Sequence, residues 1–156
     1  HPMARALRID KLTLAALEAT LRLYLDPQKA LSQIPTLKML SLPASELQHR
    51  CEALLPKVLE STNSAADCSI IETTATVGGG ALPLAELPGR AIAVAPKNMS
   101  VNELITRLRG CEPAVIGRVQ DDQFLIDPRT LLPGEEDLLA AALGEALKVG
   151  GGKDLS

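Results

Sequence analysis

Arg5 and Arg8 are the residues whose type and spacing point most directly to chemistry. Three positions apart, they share a face if their stretch is helical. They also stand just ahead of a strongly apolar helical segment. Two guanidiniums crowded at a helix N-terminus oppose each other and the helix dipole unless an anion or a carboxylate joins them. The planar fork of arginine suits phosphate-like anions. Charge alone leaves two arrangements open. Either the pair holds an anion, or both arginines are solvated and Asp10 neutralises one of them.

Other reactive side chains give weaker signals. His1 and His49 have no neighbours at metal-ligand spacing, and no metal site is expected. No serine lies in a GxSxG context, and no cysteine has a histidine partner. Cys51, Cys68 and Cys111 stand far apart, and their odd number leaves no closed disulfide scheme. A reduced, cytoplasmic protein follows as the expectation. Gly78-Gly79-Gly80 lacks the GxxxxGK[ST] pattern of a phosphate loop and reads as a sharply bending connection. Asp121-Asp122 reads as a solvated turn.

Composition excludes several classes. The chain has 156 residues, 46% of them apolar, enough for a core built from Leu, Ile, Val and Ala. With one Tyr, one Phe and no Trp, it offers no platform for stacking bases. A formal charge of −3 without a basic stripe argues against autonomous nucleic-acid binding. No apolar run reaches the roughly 18 residues of a membrane span, and no signal peptide is expected. The opening His1-Pro2 is what a fragment of a longer protein would show.

The elements that must position these residues follow from periodicity. Residues 9–25 read as a helix apolar around most of its circumference, with Glu18 and Arg22 at i,i+4 spacing. Burial on more than one side is therefore expected, and Asp26-Pro27 ends the helix. Pro35 and Pro43 bracket a short piece. A second helix starts at Pro43 with Leu47, Cys51, Leu54 and Val58 on one stripe, and Pro56 should kink or divide it. Glu60–Asp67 reads as a turn. Alternation over Cys68–Val77 predicts a strand, with Leu82–Pro88 as loop and Arg90–Ala95 as a short strand. Ser100 should cap a helix over Val101–Leu108. Ala114–Val119 and Gln123–Asp127 should form a hairpin turning at Asp121-Asp122. Glu135–Leu147 closes as a helix, acidic at its start.

The blocks HPMARALRIDKLTLAALEATLRLYLDP, IPTLKMLSLP, VGGGALPLAELPG and PAVIGRVQDDQFLIDPRTLLP, in that order, resemble bacterial selenocysteine synthases, the L-seryl-tRNA(Sec) selenium transferases. They cover most of the chain to about residue 133. The resemblance implies a fold-type-I pyridoxal-phosphate (PLP) enzyme that converts seryl-tRNA(Sec) to selenocysteinyl-tRNA(Sec). The serine loses its hydroxyl as water, and selenium then comes from selenophosphate. Arg5 and Arg8 match an RxxR element that helps bind the selenium donor. The PLP lysine is expected upstream of residue 1. Lys11 belongs to the RIDKLTLAALE block and is not that lysine. No catalytic or cofactor-binding residue is therefore expected in this chain, which on its own should be inactive and without bound PLP. The family's partners are seryl-tRNA(Sec), selenophosphate and further copies of itself in a homo-oligomer. At Asp121-Asp122 the family often carries Asp-Gly.

The expected fold is α+β: a linking helix over 1–27, a small C-terminal domain over 28–148 with a mainly antiparallel sheet and helices, and a tail over 149–156. Two rivals remain at this level. One is the C-terminal domain of another fold-type-I enzyme, such as a carbon–sulfur or carbon–selenium lyase. The other is a non-catalytic oligomerisation module whose Leu/Ala helix docks on a partner.

Overall fold

In a computed structural model, the predicted stripe Leu47, Cys51, Leu54 and Val58 is the buried face of one continuous helix, Ala44–Thr62. The structure describes residues 2–77 and 82–148. Among them are seven α-helices: α1 (Pro2–Ala6), α2 (Lys11–Leu23), α3 (Pro27–Gln33), α4 (Pro35–Leu40), α5 (Ala44–Thr62), α6 (Val101–Arg109) and α7 (Glu135–Ala146). Four strands accompany them: β1 (Ala66–Val77), β2 (Leu82–Pro96), β3 (Arg118–Gln120) and β4 (Gln123–Ile126). The architecture is α+β, as the sequence indicates. Its residues divide into two units, His1–Leu42 and Pro43–Ser156.

In the first unit, Asp26 ends one helical stretch and opens the next. Its carboxylate accepts from the backbone N–H of Gln28 and Lys29, and Pro27 takes the first position of α3. Helices α3 and α4 were not anticipated, because seven- and six-residue helices are too short to show a period. The burial expected of α2 is not found. None of its residues is buried, and Leu14, Leu17 and Leu21 are about half exposed. A helix apolar all round needs surfaces on several sides, and α3, the neighbour it packs on, is only seven residues long.

The second unit is a two-layer sandwich. Its sheet has the order β1-β2-β4-β3, antiparallel throughout. Ile92, Val94, Phe124 and Ile126 face the helical layer, where they meet Leu54 and Val58 of α5, Leu104 and Leu108 of α6 and Leu143 of α7. The single phenylalanine is thus the largest side chain in the core. Helices α5 and α7 approach closely at Gly144, where a Cβ would lie 2.7 Å from the Ser61 carbonyl oxygen.

Four expectations are corrected here. Of the kink or division expected at Pro56, the division is not found: the helix runs on past it, with Leu54 and Val58 packed on one side and Pro56 exposed on the other. The packing offsets the cost of proline at a helix interior, about 3 kcal/mol from the lost hydrogen bond and the clash of its ring together. The turn placed at Glu60–Asp67 shrinks to a few residues, since α5 extends to Thr62 and β1 begins at Ala66. Asn63 (φ 45°) and Ser64 (φ 65°) make that turn, the Asn63 N–H donating to the Glu60 carbonyl. Leu82–Pro88 is strand, not loop: β2 is a single 15-residue strand that absorbs both this piece and Arg90–Ala95. Its prolines fall outside Ile92–Val94, the stretch where β4 pairs on the second side, and a missing N–H is tolerated beside an open edge. Finally, of the expected strand Ala114–Val119 only Arg118 and Val119 pair with β4, and the pairing runs one residue further, to Gln120.

Two local expectations are found as stated. Ser100 caps α6, accepting from the Glu103 N–H at 3.2 Å. The hairpin turns at Asp121 (φ 50°) and Asp122 (φ 57°). Gly78–Gly80 and the tail from residue 149 lie outside the described residues.

Candidate functional site

The segment carrying the two arginines is built from a short helix, a turn and a cap. Pro2 sits at the start of α1, where its fixed φ and missing N–H do no harm. The helix lasts five residues, and the Leu7 N–H closes its last turn on the Met3 carbonyl at 2.9 Å. Arg5 lies in that last turn, where a cation is favoured by the helix dipole. Arg8 lies beyond it, in the connection leading to α2. The two do not share a face of one helix, because α1 stops at Ala6. They are joined by a turn in which the Arg8 N–H approaches the Arg5 carbonyl at 3.4 Å.

Asp10 does not take the neutralising role considered for it. It is the N-cap of α2, with extended backbone (φ −76°, ψ 164°). Its Oδ1 accepts from the N–H groups of Leu12 and Thr13, both at 2.9 Å, and its Oδ2 accepts from the Thr13 hydroxyl at 2.6 Å. The hydrogen bonds from Thr13 hold its carboxyl below the usual carboxylate range. Arg5 and Arg8 are both exposed, and neither guanidinium has a hydrogen-bond or ion-pair partner among the described residues. Two unengaged forks about one turn apart can take an oxyanion; they cannot by themselves make or break bonds.

Other candidate groups are turned to structural work. His49 is exposed on α5, 3.5 Å from Glu52. Burial pushes the Cys51 thiol up to about 11, with Asp127 adding to the effect. Burial also raises Cys68 and Cys111. A thiol in that state is a poor nucleophile. No group of three or more His, Cys, Asp or Glu among the described residues could hold a metal ion. None of the helices there is long and apolar enough to cross a membrane. The six described lysines, Lys11, Lys29, Lys38, Lys57, Lys97 and Lys148, are all exposed.

Two arginines of the second unit escaped the sequence reading. Arg129, only 5% exposed, donates from Nη2 to the Pro88 carbonyl at 3.1 Å. It lies in the turn Pro128–Thr130, three residues past the end of β4, and so serves a part of β2 that β4 leaves unpaired. Arg118 on β3 donates from Nη1 to the Thr74 carbonyl at 3.0 Å and from Nη2 to the Thr73 hydroxyl. Between α5, the turn Pro128–Thr130 and the start of α7 lies a cleft of about 320 Å³, with Leu54, Pro128 and Leu131 as its floor. Its basic residues are engaged: Lys57 pairs with Asp137 at 2.6 Å and Arg50 with Glu46 at 3.3 Å. No local sequence pattern marks the side-chain contacts of Lys57, Arg118 and Arg129, because their partners lie 41 to 80 positions away.

The chain matches the family model described as L-seryl-tRNA selenium transferase over residues 1–132. It is 50% identical over 143 residues to a protein of Geotalea uraniireducens named L-seryl-tRNA(Sec) selenium transferase, covering 92% of this chain and 31% of that protein. A protein of the same name from Moorella thermoacetica is 48% identical over 148 residues, covering 95% and 32%. One from Nitratidesulfovibrio vulgaris is 44% identical over 147 residues, covering 94% and 31%. The chain thus spans about a third of the length of these relatives. The matched residues include the whole segment from α1 through the cap of α2, together with the sheet of the second unit. The chain belongs to the L-seryl-tRNA selenium transferase family.

Proposed function

We propose that the intact protein is a PLP-dependent transferase that converts seryl-tRNA(Sec) to selenocysteinyl-tRNA(Sec), taking selenium from selenophosphate. In this reading it works in the cytoplasm as a homo-oligomer. The present chain contributes Arg5 and Arg8 as donor-binding residues and the C-terminal α+β domain behind them. The observation that carries this is the pair of exposed guanidiniums without partners in a segment that the family match covers. Selenophosphate is a multiply charged anion, and each arginine fork offers it charge-assisted contacts worth about 1.5–3 kcal/mol. Holding the donor beside the dehydrated seryl group turns a bimolecular encounter into an effectively unimolecular step.

Every described lysine of this chain is exposed, and in this reading none of them is the cofactor lysine. That lysine belongs instead to the part of the family's length that this chain does not span. Lys11 opens α2 as a scaffold residue.

The test uses the intact protein with PLP, seryl-tRNA(Sec) and labelled selenophosphate. Selenium should appear in aminoacyl-tRNA in catalytic amounts. Release of selenide from free selenocysteine, with no transfer to tRNA, would replace this reading by the lyase one. No activity of either kind, with self-association intact, would favour the oligomerisation module.

A further inference from the structure

Asp10 is the only acidic residue among the first 17, so it is the natural internal counter-ion for Arg5 and Arg8. It stands two residues after Arg8, in a connection without helical turns, within reach of a long arginine side chain. Capping α2 engages only one of its oxygens: Oδ1 takes both backbone N–H groups. The other oxygen, Oδ2, would be free to face Arg8. It is held instead by the Thr13 hydroxyl at 2.6 Å, which draws the carboxylate over the first turn of α2. Thr13 is exposed and carries no packing role, and threonine is a mediocre helix former.

We infer that the Thr13 hydroxyl, by locking Asp10 onto the cap of α2, keeps that carboxylate from pairing with Arg8 and so leaves Arg8 open to the donor anion. The inference rests on the donor-binding role proposed above. Asp10 and Thr13 are positioning residues: neither touches the donor, and both act through Arg8. Losing the hydroxyl converts a cap into a competing internal anion. An exposed ion pair contributes at most about 1 kcal/mol, and a pair near that limit should raise the apparent donor KM about three- to fivefold.

The experiment is a set of variants of the intact enzyme assayed for donor KM, kcat and melting temperature at saturating seryl-tRNA(Sec). Thr13→Val should raise the selenophosphate KM three- to fivefold, with the effect confined to KM. Thr13→Ser, which restores the hydroxyl, should behave as the parent does. The decisive arm is Asp10→Asn combined with Thr13→Val. Asparagine still caps the helix but carries no charge, so the double variant should return to the parental KM. A helix-stability role predicts the reverse, with the double variant no better than Thr13→Val alone. A parental KM in Thr13→Val, or a raised KM that persists in the double variant, overturns the inference. Arg8→Ala separates the two levels. If it leaves donor KM unchanged, the donor-binding role fails and this inference falls with it; if it raises KM while Thr13→Val does not, only the inference fails.

Discussion

Replacing Gly117 by alanine tests the packing of the second unit at its tightest point. A Cβ at this position would fall inside the van der Waals envelope of the Phe124 ring, at Cε2 and Cζ, and 2.9 Å from the Leu125 carbonyl oxygen. Carbon atoms at rest sit about 3.5–4.0 Å apart, so the ring must retreat by about an ångström. It has nowhere to go: Phe124 is 1% exposed and wedged into the main core with Ile92 and Val94. Overpacking of this kind costs about 1–3 kcal/mol, and two obstructed directions put the expected value near the upper end, about 2–3 kcal/mol. With an unfolding entropy of about 2.1 cal/mol/K per residue, a unit of this length loses about 4 °C per kcal/mol, so Tm should fall by about 8–12 °C. Urea titration should show a lower midpoint with an unchanged slope. Gly110→Ala is the control, since a Cβ there meets nothing closer than 3.3 Å and φ is an ordinary −86°. It should stay within about 0.5 kcal/mol of the parent. Adding Phe124→Leu to Gly117→Ala should cost less than the two separate changes combined, because the smaller side chain vacates the contested space. A Gly117→Ala protein melting within about 2 °C of the parent would refute the reasoning.

Three further outcomes follow from particular residues. Asp122→Gly relieves a left-handed aspartate (φ 57°) in the β3–β4 turn and should raise stability by about 0.5–1 kcal/mol; a lower Tm would count against the turn geometry. Cys51, fully buried with its thiol pushed up to about 11, should resist alkylation at pH 8 until the unit unfolds. The raised pKa favours the neutral thiol in the folded state, so that contribution is whole below about pH 9 and is lost as pH climbs towards 11; rapid labelling of the native protein at pH 8 would contradict this. The exposed apolar surface of α2 should drive self-association of the isolated chain, and Leu14→Gln with Leu17→Gln and Leu21→Gln should reduce it. A clean monomer of the parent chain at high concentration, by ultracentrifugation, would count against this.

What could be read from the sequence was what local periodicity encodes. The stripe on α5, the alternation in β1, the Ser100 cap and the Asp121-Asp122 turn each depend on residues within a few positions of one another, and each is found. What failed depended on distant partners. The prolines of β2 look like loop residues until the sheet order is known, because only then is it clear which part of the strand has an open side. Pro56 looks like a break until the burial of Val58 and Leu54 is known. At the candidate site, the residue types of Arg5 and Arg8 were legible, but their shared helical face was not. The end of α1 is fixed by a turn and by the Asp10 cap, which carry no periodic signal in so short a segment. Asp10 could be weighed as a counter-ion from its sequence position. Its engagement by Thr13 needed coordinates, though aspartate three residues ahead of threonine at a helix start was a signal available to be used.

The central claim is that Arg5 and Arg8 hold the selenium donor, and the most direct measurement is donor dependence alongside stability in the intact enzyme. Arg5→Ala and Arg8→Ala should each raise the apparent selenophosphate KM or slow transfer at limiting donor by about one to two decades, the loss of one charge-assisted bidentate contact. Both should melt as the parent does, since neither side chain has a partner among the described residues. Arg→Lys should recover only part of the loss, because a point charge does not reproduce the fork. Variants that melt early yet saturate with selenophosphate as the parent does would make the two arginines scaffold and contradict the account.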